Sequence, residues 1–226
     1  MNRDKAIDLS SRRSGLVILW IAVAAIFVWS AVRPHDYFTW ILEVFPAIIG
    51  AVVLAFTYRR FKFTTLVYIL IALHMIILML GGHYTYAEVP IGNWIRDQFE
   101  LSRNHYDRLG HFAQGFVPAM IAREVLLRLR VVKRGSWLNT VVISICLAFS
   151  ALYELLEWTV SALTGSAGDA FLGTQGDVFD TQKDMAMALA GAIAALVMLS
   201  KLHDKQLASF EDRWQALEKD LALHGG

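Results

Sequence analysis

This chain predicts an all-α fold, a polytopic membrane helical bundle, on three observations. Of its 226 residues 56% are hydrophobic and only 18% charged; its mean hydropathy is positive, at +0.46; and apolar runs of about membrane-crossing length recur from end to end. Such a composition lies outside the soluble globular class. About six transmembrane helices are expected, with no linker or internal repeat dividing them.

The first run, Leu16–Val32, follows a basic segment (Arg3, Lys5, Arg12, Arg13) and ends at the small residues Ser30 and Ala31, as a secretory signal would. Its apolar core exceeds the ~7–15 residues of such a signal and a second span follows almost at once, so it reads as a retained helix. The second and third runs, Phe38–Tyr58 and Thr64–Leu80, reach the ~17 residues that a span needs. The connection Gly81–Arg108 is the longest on its side. Pro90, Gly92 and Asn93 mark a turn in it, and Tyr86 and Trp94 are expected to anchor at the membrane interface. The fourth run, Leu109–Ala122, and the sixth, Met185–Leu199, are short, so their polar flanks should complete them inside protein. The fifth, Leu138–Leu163, is long enough but carries Glu154 and Glu157. Beyond the sixth, Leu207, Phe210, Trp214, Leu217 and Leu221 alternate spacings of three and four, which predicts an amphipathic helix on the inner leaflet or docked on the inner loops. The expected division is a membrane domain over 1–201 and a short cytoplasmic amphipathic tail helix over 202–226.

Lys and Arg set the orientation, because cytoplasmic loops carry the excess. Sixteen of the 21 lie in the N-terminal arm, the second loop (Arg59, Arg60, Lys62), the fourth loop (Arg123, Arg128, Arg130, Lys133, Arg134) and the tail; only Arg33, Arg96, Arg103, Arg108 and Lys183 fall on the other side. Both termini are therefore expected in the cytoplasm. Twelve of the 20 acids distribute the opposite way, which makes the outer half negative and attractive to cations. The single cysteine, Cys146, excludes an intrachain disulfide and a cysteine metal cluster, and its apolar setting predicts an inert thiol.

Glu154 and Glu157 are the first clue to function. A charged side chain at membrane depth costs roughly 2.5–3.5 kcal/mol on insertion scales, so it is expected to face a protein interior or watery cavity and to have a partner. The two share a helix face and differ in depth by about 4.5 Å. They also lie near a helix C-terminus, whose carbonyls repel carboxylates. Asp107 and His111 stand one turn apart at the start of the fourth helix. Asp177, Asp180 and Asp184 precede or open the sixth; Asp107 could simply cap the fourth helix, and Asp177 or Asp180 the sixth. Asp180 and Asp184 repel one another at that spacing, so a positive group should lie between them. His83 is a weaker addition, and His74, in an apolar run, reads as core. The loop Gly165–Asp177 either exposes backbone N–H groups to phosphate or is a plain connector; it is not a Walker loop, since Gly-Lys-Ser/Thr is absent.

Three arrangements satisfy such a cluster: a divalent cation, for which carboxylates suit Mg, Mn or Fe and His admits Zn; shared protons, as in a relay or acid–base site; or ion pairs to Arg108 and Lys183, which would be structural.

Four stretches carry a resemblance. Gly82–Pro90, Arg103–Phe116 (RNHYDRLGHFAQGF), Glu154-Leu-Leu-Glu-Trp158 and Gln175–Asp184 (QGDVFDTQKD) together resemble the YjdF-type bacterial inner-membrane proteins over residues 15–200 or so. That resemblance implies a multi-pass protein of the bacterial inner membrane and no particular reaction. More distantly, Asp107-x-x-x-His111, the Glu pair and Asp180-x-x-x-Asp184 are similar in order to VanZ-like proteins, which implies a cell-envelope setting. In place of the Asp-Glu pair ending in Gln associated with VanZ-like sequences, this chain has two Glu three apart, followed by Trp158.

The expected function is a metal-dependent activity on a lipid or lipid-linked, phosphate-bearing envelope molecule. His111, Glu157, Asp180 and Asp184 would hold the cation and Glu154 would serve as base, the two glutamates being the catalytic candidates, with His83, Asp107 and Asp177 in the surrounding polar cluster. The alternatives are a proton- or cation-coupled transporter or lipid translocator, and a non-catalytic scaffold with buried ion pairs. Membrane lipids are the expected partners and a homo-oligomer is left open; nucleic acid is not expected.

Overall fold

The computed structural model describes the backbone of residues 3–165, 168 and 171–224, and the side chains of 14–165, 168 and 171–210. Helices α1 (Arg3–Ser30), α2 (Tyr37–Thr57), α3 (Thr65–Tyr84), α4 (Pro90–Gln98), α5 (Tyr106–Arg128), α6 (Ser136–Thr164) and α7 (Asp180–His224) follow one another, with a 3₁₀ turn at Tyr86–Glu88. The described residues form no strand. Each apolar run falls on a helix; the second and fifth match α2 and α6 to within two residues, whereas α1, α3, α5 and α7 run well beyond theirs. In α2, α3, α6 and the Asp180–Phe210 part of α7 the helix is long and apolar enough to cross a membrane; the apolar stretch of α1, Ser14–Ser30, is shorter.

Helix α5 is too polar to stand in lipid, and its place in the fold explains how the chain tolerates it. It packs most extensively on α7, and next on α6 and α3. Its charged residues Asp107, His111, Arg123 and Glu124 are buried against protein, while α6 turns Phe149, Leu152 and Leu155 outward. The α5–α7 contact is backbone on backbone. A Cβ on Gly115 would collide with the carbonyl oxygen of Ala188, and one on Gly191 with that of Phe112. Small residues of this kind let two membrane helices approach closely where the hydrophobic effect does not drive them together. On the other side of α5, α3 carries α1 and α2, and Val44, Val67, Ala72, Met75, Val117 and Met120 fill the space between.

The end of the bundle at Arg123 is held by a buried polar network, in which Arg123 Nε is left without a hydrogen bond. Glu124 accepts from the Thr64 backbone N–H at 3.0 Å and hydroxyl at 2.7 Å, from Arg128 at 2.9 Å and from His203 Nε2 at 3.0 Å. Arg123 donates to His203 Nδ1 at 2.9 Å and to Asp204 at 2.8 Å. Because a guanidinium only donates, His203 accepts at Nδ1 and donates from Nε2, so one tautomer is fixed. Residues that the positive-charge count assigns to a loop thus tie α5 to α3 and α7.

Two expectations change. The tail is not a new element, since α7 runs unbroken from Asp180 to His224. Gln206 accepts from the Leu66 N–H at 3.0 Å, and Leu207 is buried; the side chains of Trp214, Leu217 and Leu221 lie outside the described residues. Tyr86 is no interface anchor. It is buried against Gly81 and Gly110, 5.5 Å from the Tyr106 ring, whereas Trp94 is exposed. Cys146 is buried and free.

Candidate functional site

At the opposite end of α5, side chains from four α-helices and the 3₁₀ turn line one small cavity. Glu43 comes from α2, His74 from α3, Asp107, His111 and Gln114 from α5, and Tyr153 and Glu157 from α6, with Tyr86 beside them. Glu154 (α6) and Asp184 (α7) flank His111. The local reason is helical period: Asp107 and His111 are four apart, and Glu154 and Glu157 three apart, so each pair faces the same way. All six ionisable groups other than His74 are less than a tenth exposed.

His111 is the hub. Its Nδ1 donates to Gln114 Oε1 at 3.0 Å and lies 3.6 Å from Glu154 Oε1; its Nε2 lies 3.5 Å from Asp107 Oδ1. With a proton on Nδ1, Nε2 on the Asp107 side is left either to donate to that carboxylate or, unprotonated, to bind a cation. Two groups of donor atoms close around the ring, Asp107–His111–Asp184 and His111–Glu154–Glu157, each within 4.8 Å. That span is about twice a ~2.4 Å oxygen–cation distance, so a hard cation fits between opposite ligands. Glu154 Oε1 and Asp184 Oδ1 are buried with no hydrogen-bond partner, as are Tyr153 Oη and His74 Nε2. A buried carboxylate oxygen left without a hydrogen bond is costly. The cavity holds about 60 Å³, which at ~10–15 Å³ per water-sized sphere admits a cation with a few waters.

The cationic side chains stop short of this cavity. Arg103 is buried and makes a very short ion pair with Asp180, while also donating to Thr174 O at 3.0 Å and Gly173 O at 3.2 Å. It reaches Asp107 only at 3.8 Å. Arg108 and Lys183 both clasp Asp177, at 2.8 and 2.6 Å. Among the described residues no Lys or Arg pairs with Glu43, Glu154, Glu157 or Asp184. The Lys183 hydrogen bond, then the Phe179 N–H, pull the Asp177 carboxyl down to about 2. At the same rim, burial and then the charges of Arg108, Arg103 and Lys183 hold His105 below its ordinary value. The glycine-rich loop is pinned to Arg103 through its carbonyls, and Gln175 exchanges hydrogen bonds of 3.1 and 3.0 Å with the Asn104 backbone.

Of the residues singled out from sequence, the structure brings together His111, Glu154, Glu157, Asp107 and Asp184. Asp180 is neutralised by Arg103 instead of facing the cavity, and Asp177 belongs to the rim. His83 lies apart, donating to Ser30 O at 3.0 Å with its ring 4.2 Å from Trp29. Asp107 does not cap α5, whose N-cap position is His105. Arg108 and Lys183 do form the expected ion pairs, with Asp177; the positive group beside Asp180 is Arg103, which the spacing argument did not name. Glu43 and His74 join the site unannounced. Glu43 is a lone acid in an apolar run, the signal that drew notice to Glu154 and Glu157, and it could have been read the same way.

A fold of this kind, a helical bundle with apolar outer helices around a polar central one, defines a membrane protein. The chain belongs to the family described as predicted membrane protein (DUF2238), whose model matches residues 15–205. It is 46% identical over 190 residues to the inner membrane protein YjdF of Escherichia coli strain K12, covering 84% of this chain and 91% of that one. No solved structure matches the chain.

Proposed function

We propose that this is a six-span inner-membrane protein with both termini in the cytoplasm, and that Asp107, His111 and Asp184 bind a divalent cation on its outward side. The cation would act on a phosphoryl or ester group of a lipid or lipid-linked envelope molecule. The observation that carries this is the pair of buried oxygens without a hydrogen bond, Glu154 Oε1 and Asp184 Oδ1, beside the imidazole of His111, where among the described residues Arg103, Arg108 and Lys183 pair chiefly with Asp177 and Asp180. Two carboxylates and one imidazole suit Mn, Fe or Zn, with Mg accommodated if water completes the shell. Gln114 fixes the imidazole tautomer, as the outer partners of metal-ligating histidines do. A bound cation polarises an oxygen or lowers the pKa of a water, and Glu154 or Glu157, across the ring from Asp107, would take the proton. The cavity is too small for a whole lipid, so only the reacting group would enter.

Metal analysis of purified protein should give near one divalent ion per chain, lost in His111→Ala and Asp184→Asn. Glu154→Gln should keep the ion and lose the activity. Metal-free wild type that is well folded would overturn the reading.

A second reading has its own support. Three carboxylates line the cavity, Glu43, Asp107 and Glu157, and Glu154 and Asp184 stand beside His111; together they exceed what one divalent cation offsets, and the surplus suits proton exchange in a cation- or proton-coupled carrier. Such a carrier predicts pH-dependent substrate movement in vesicles that Glu157→Gln abolishes.

A further inference from the structure

A second, larger cavity lies between α1 and α2 over α3, and its chemistry is the opposite of the first. Leu16, Trp20 and Ile21 of α1, Leu54 and Tyr58 at the end of α2, and Tyr68 of α3 line a groove of about 850 Å³, with no charged side chain among its lining residues. The Tyr68 ring forms its floor, meeting Trp20 edge-on at 6.4 Å and Tyr58 at 6.5 Å. Helices α1 and α2 each pack on α3 but share no extensive contact with one another, which is why the groove stays open to the side. The volume is in the ~300–1,000 Å³ range of small-molecule sites. From Leu16 to Ala24 it follows α1 for about 12 Å, a large fraction of one leaflet of a ~30 Å hydrocarbon core.

One end of the groove is cationic. Lys62 places its ammonium 5.3 Å from the centre of the groove-lining Tyr58 ring, and Arg59 and Arg60, which follow Tyr58 directly, are exposed. Among the described residues none of the three has an ion-pair partner. An apolar slot in the bilayer that ends at three unpaired cations is complementary to a molecule with a hydrocarbon body and a negative head. We infer that this groove is a binding site for an anionic phospholipid, an acyl chain lying against Trp20 and Tyr68 and the phosphate held by Arg59, Arg60 and Lys62. Basic clusters beside a span recognise anionic lipid by this means. The site is separate from the His111 cavity and stands whether or not that cavity binds a cation.

The test uses the full chain, stripped of lipid in detergent, with phosphatidylglycerol or phosphatidylcholine added and binding read by native mass spectrometry. Phosphatidylglycerol should bind the wild type, and the triple variant Arg59→Gln, Arg60→Gln, Lys62→Gln should bind it on the order of a hundredfold more weakly, as loss of three juxtamembrane cations implies. Ala24→Phe with Ala51→Phe, which fills the groove and keeps the charges, should also abolish binding. Nitroxide-labelled phosphatidylglycerol should quench wild-type fluorescence more than that of Trp20→Phe. Equal binding of both lipids overturns the proposal, as does full retention by the groove-filled variant. A dimer that the groove-filled variant dissociates, without lipid in the wild type, would show a second copy to be the occupant and overturn it too.

Discussion

Arg103 is the residue on which the separation between rim and cavity depends. It is buried, and it neutralises Asp180 while anchoring the carbonyls of the loop before α7. Breaking a buried pair from one side typically costs about 3–5 kcal/mol, because the other charge is stranded. Arg103→Met should therefore lower thermal stability in detergent sharply, and adding Asp180→Leu should recover most of the loss. Asp177 predicts a separate pH effect. Its folded pKa, about 2, lies below the ordinary 3.8, so its contribution to stability is present above about pH 4 and is lost as the pH falls toward 2. Asp177→Asn should flatten the acid limb of a melting-temperature profile in that window. The sequence made His111, Glu154 and Glu157 legible because ionisable groups in apolar runs stand out. Arg103 was invisible as a partner because its contacts to Asp180 and Gly173 join residues some seventy positions apart, across a loop no periodicity describes.

At the scale of the element, the apolar runs mark α2 and α6 to within two residues and the start of α3, since length and hydropathy are what a bilayer demands; α3 continues to Tyr84, past the run's end at Leu80. Helix α5 was legible only in its middle, Leu109–Ala122. Both its ends are charged, and charge reads as loop until a neighbouring helix is known to receive it; His203 and Thr64 are those receivers for Glu124. The glycines of the α5–α7 seam carry the sharpest prediction here. Gly115→Val or Gly191→Val puts a side chain into the facing backbone, which has no flexible end to yield, and overpacking of this kind costs about 1–3 kcal/mol or more. Both variants should melt well below wild type. Gly15, whose Cβ would meet nothing within 4 Å, should accept Ala without effect.

Across the whole molecule, the distribution of charge and the distribution of packing agree. The end of α5 with Arg123, Arg128 and Arg134 is rich in cations, and the end with Asp107 and Asp184 is rich in acids. A topology with the former in the cytoplasm predicts that a cysteine replacing Arg130 reacts with a membrane-impermeant maleimide only in opened cells, and one replacing Glu100 in intact spheroplasts. Cys146, being buried, should stay silent in both.

The network of Arg123, Glu124, Thr64 and His203 also limits how the protein can move. It fastens the base of α5 to α3 and α7, while the glycine seam joins α5 to α7 along their shared length, so these three helices make a rigid frame. Alternating access by rocking one half against the other would have to break that frame at its most desolvated point. Any gating that exposes the His111 cavity therefore belongs to α2 and its Glu43, since α2 packs extensively on α3 alone and stands outside the frame.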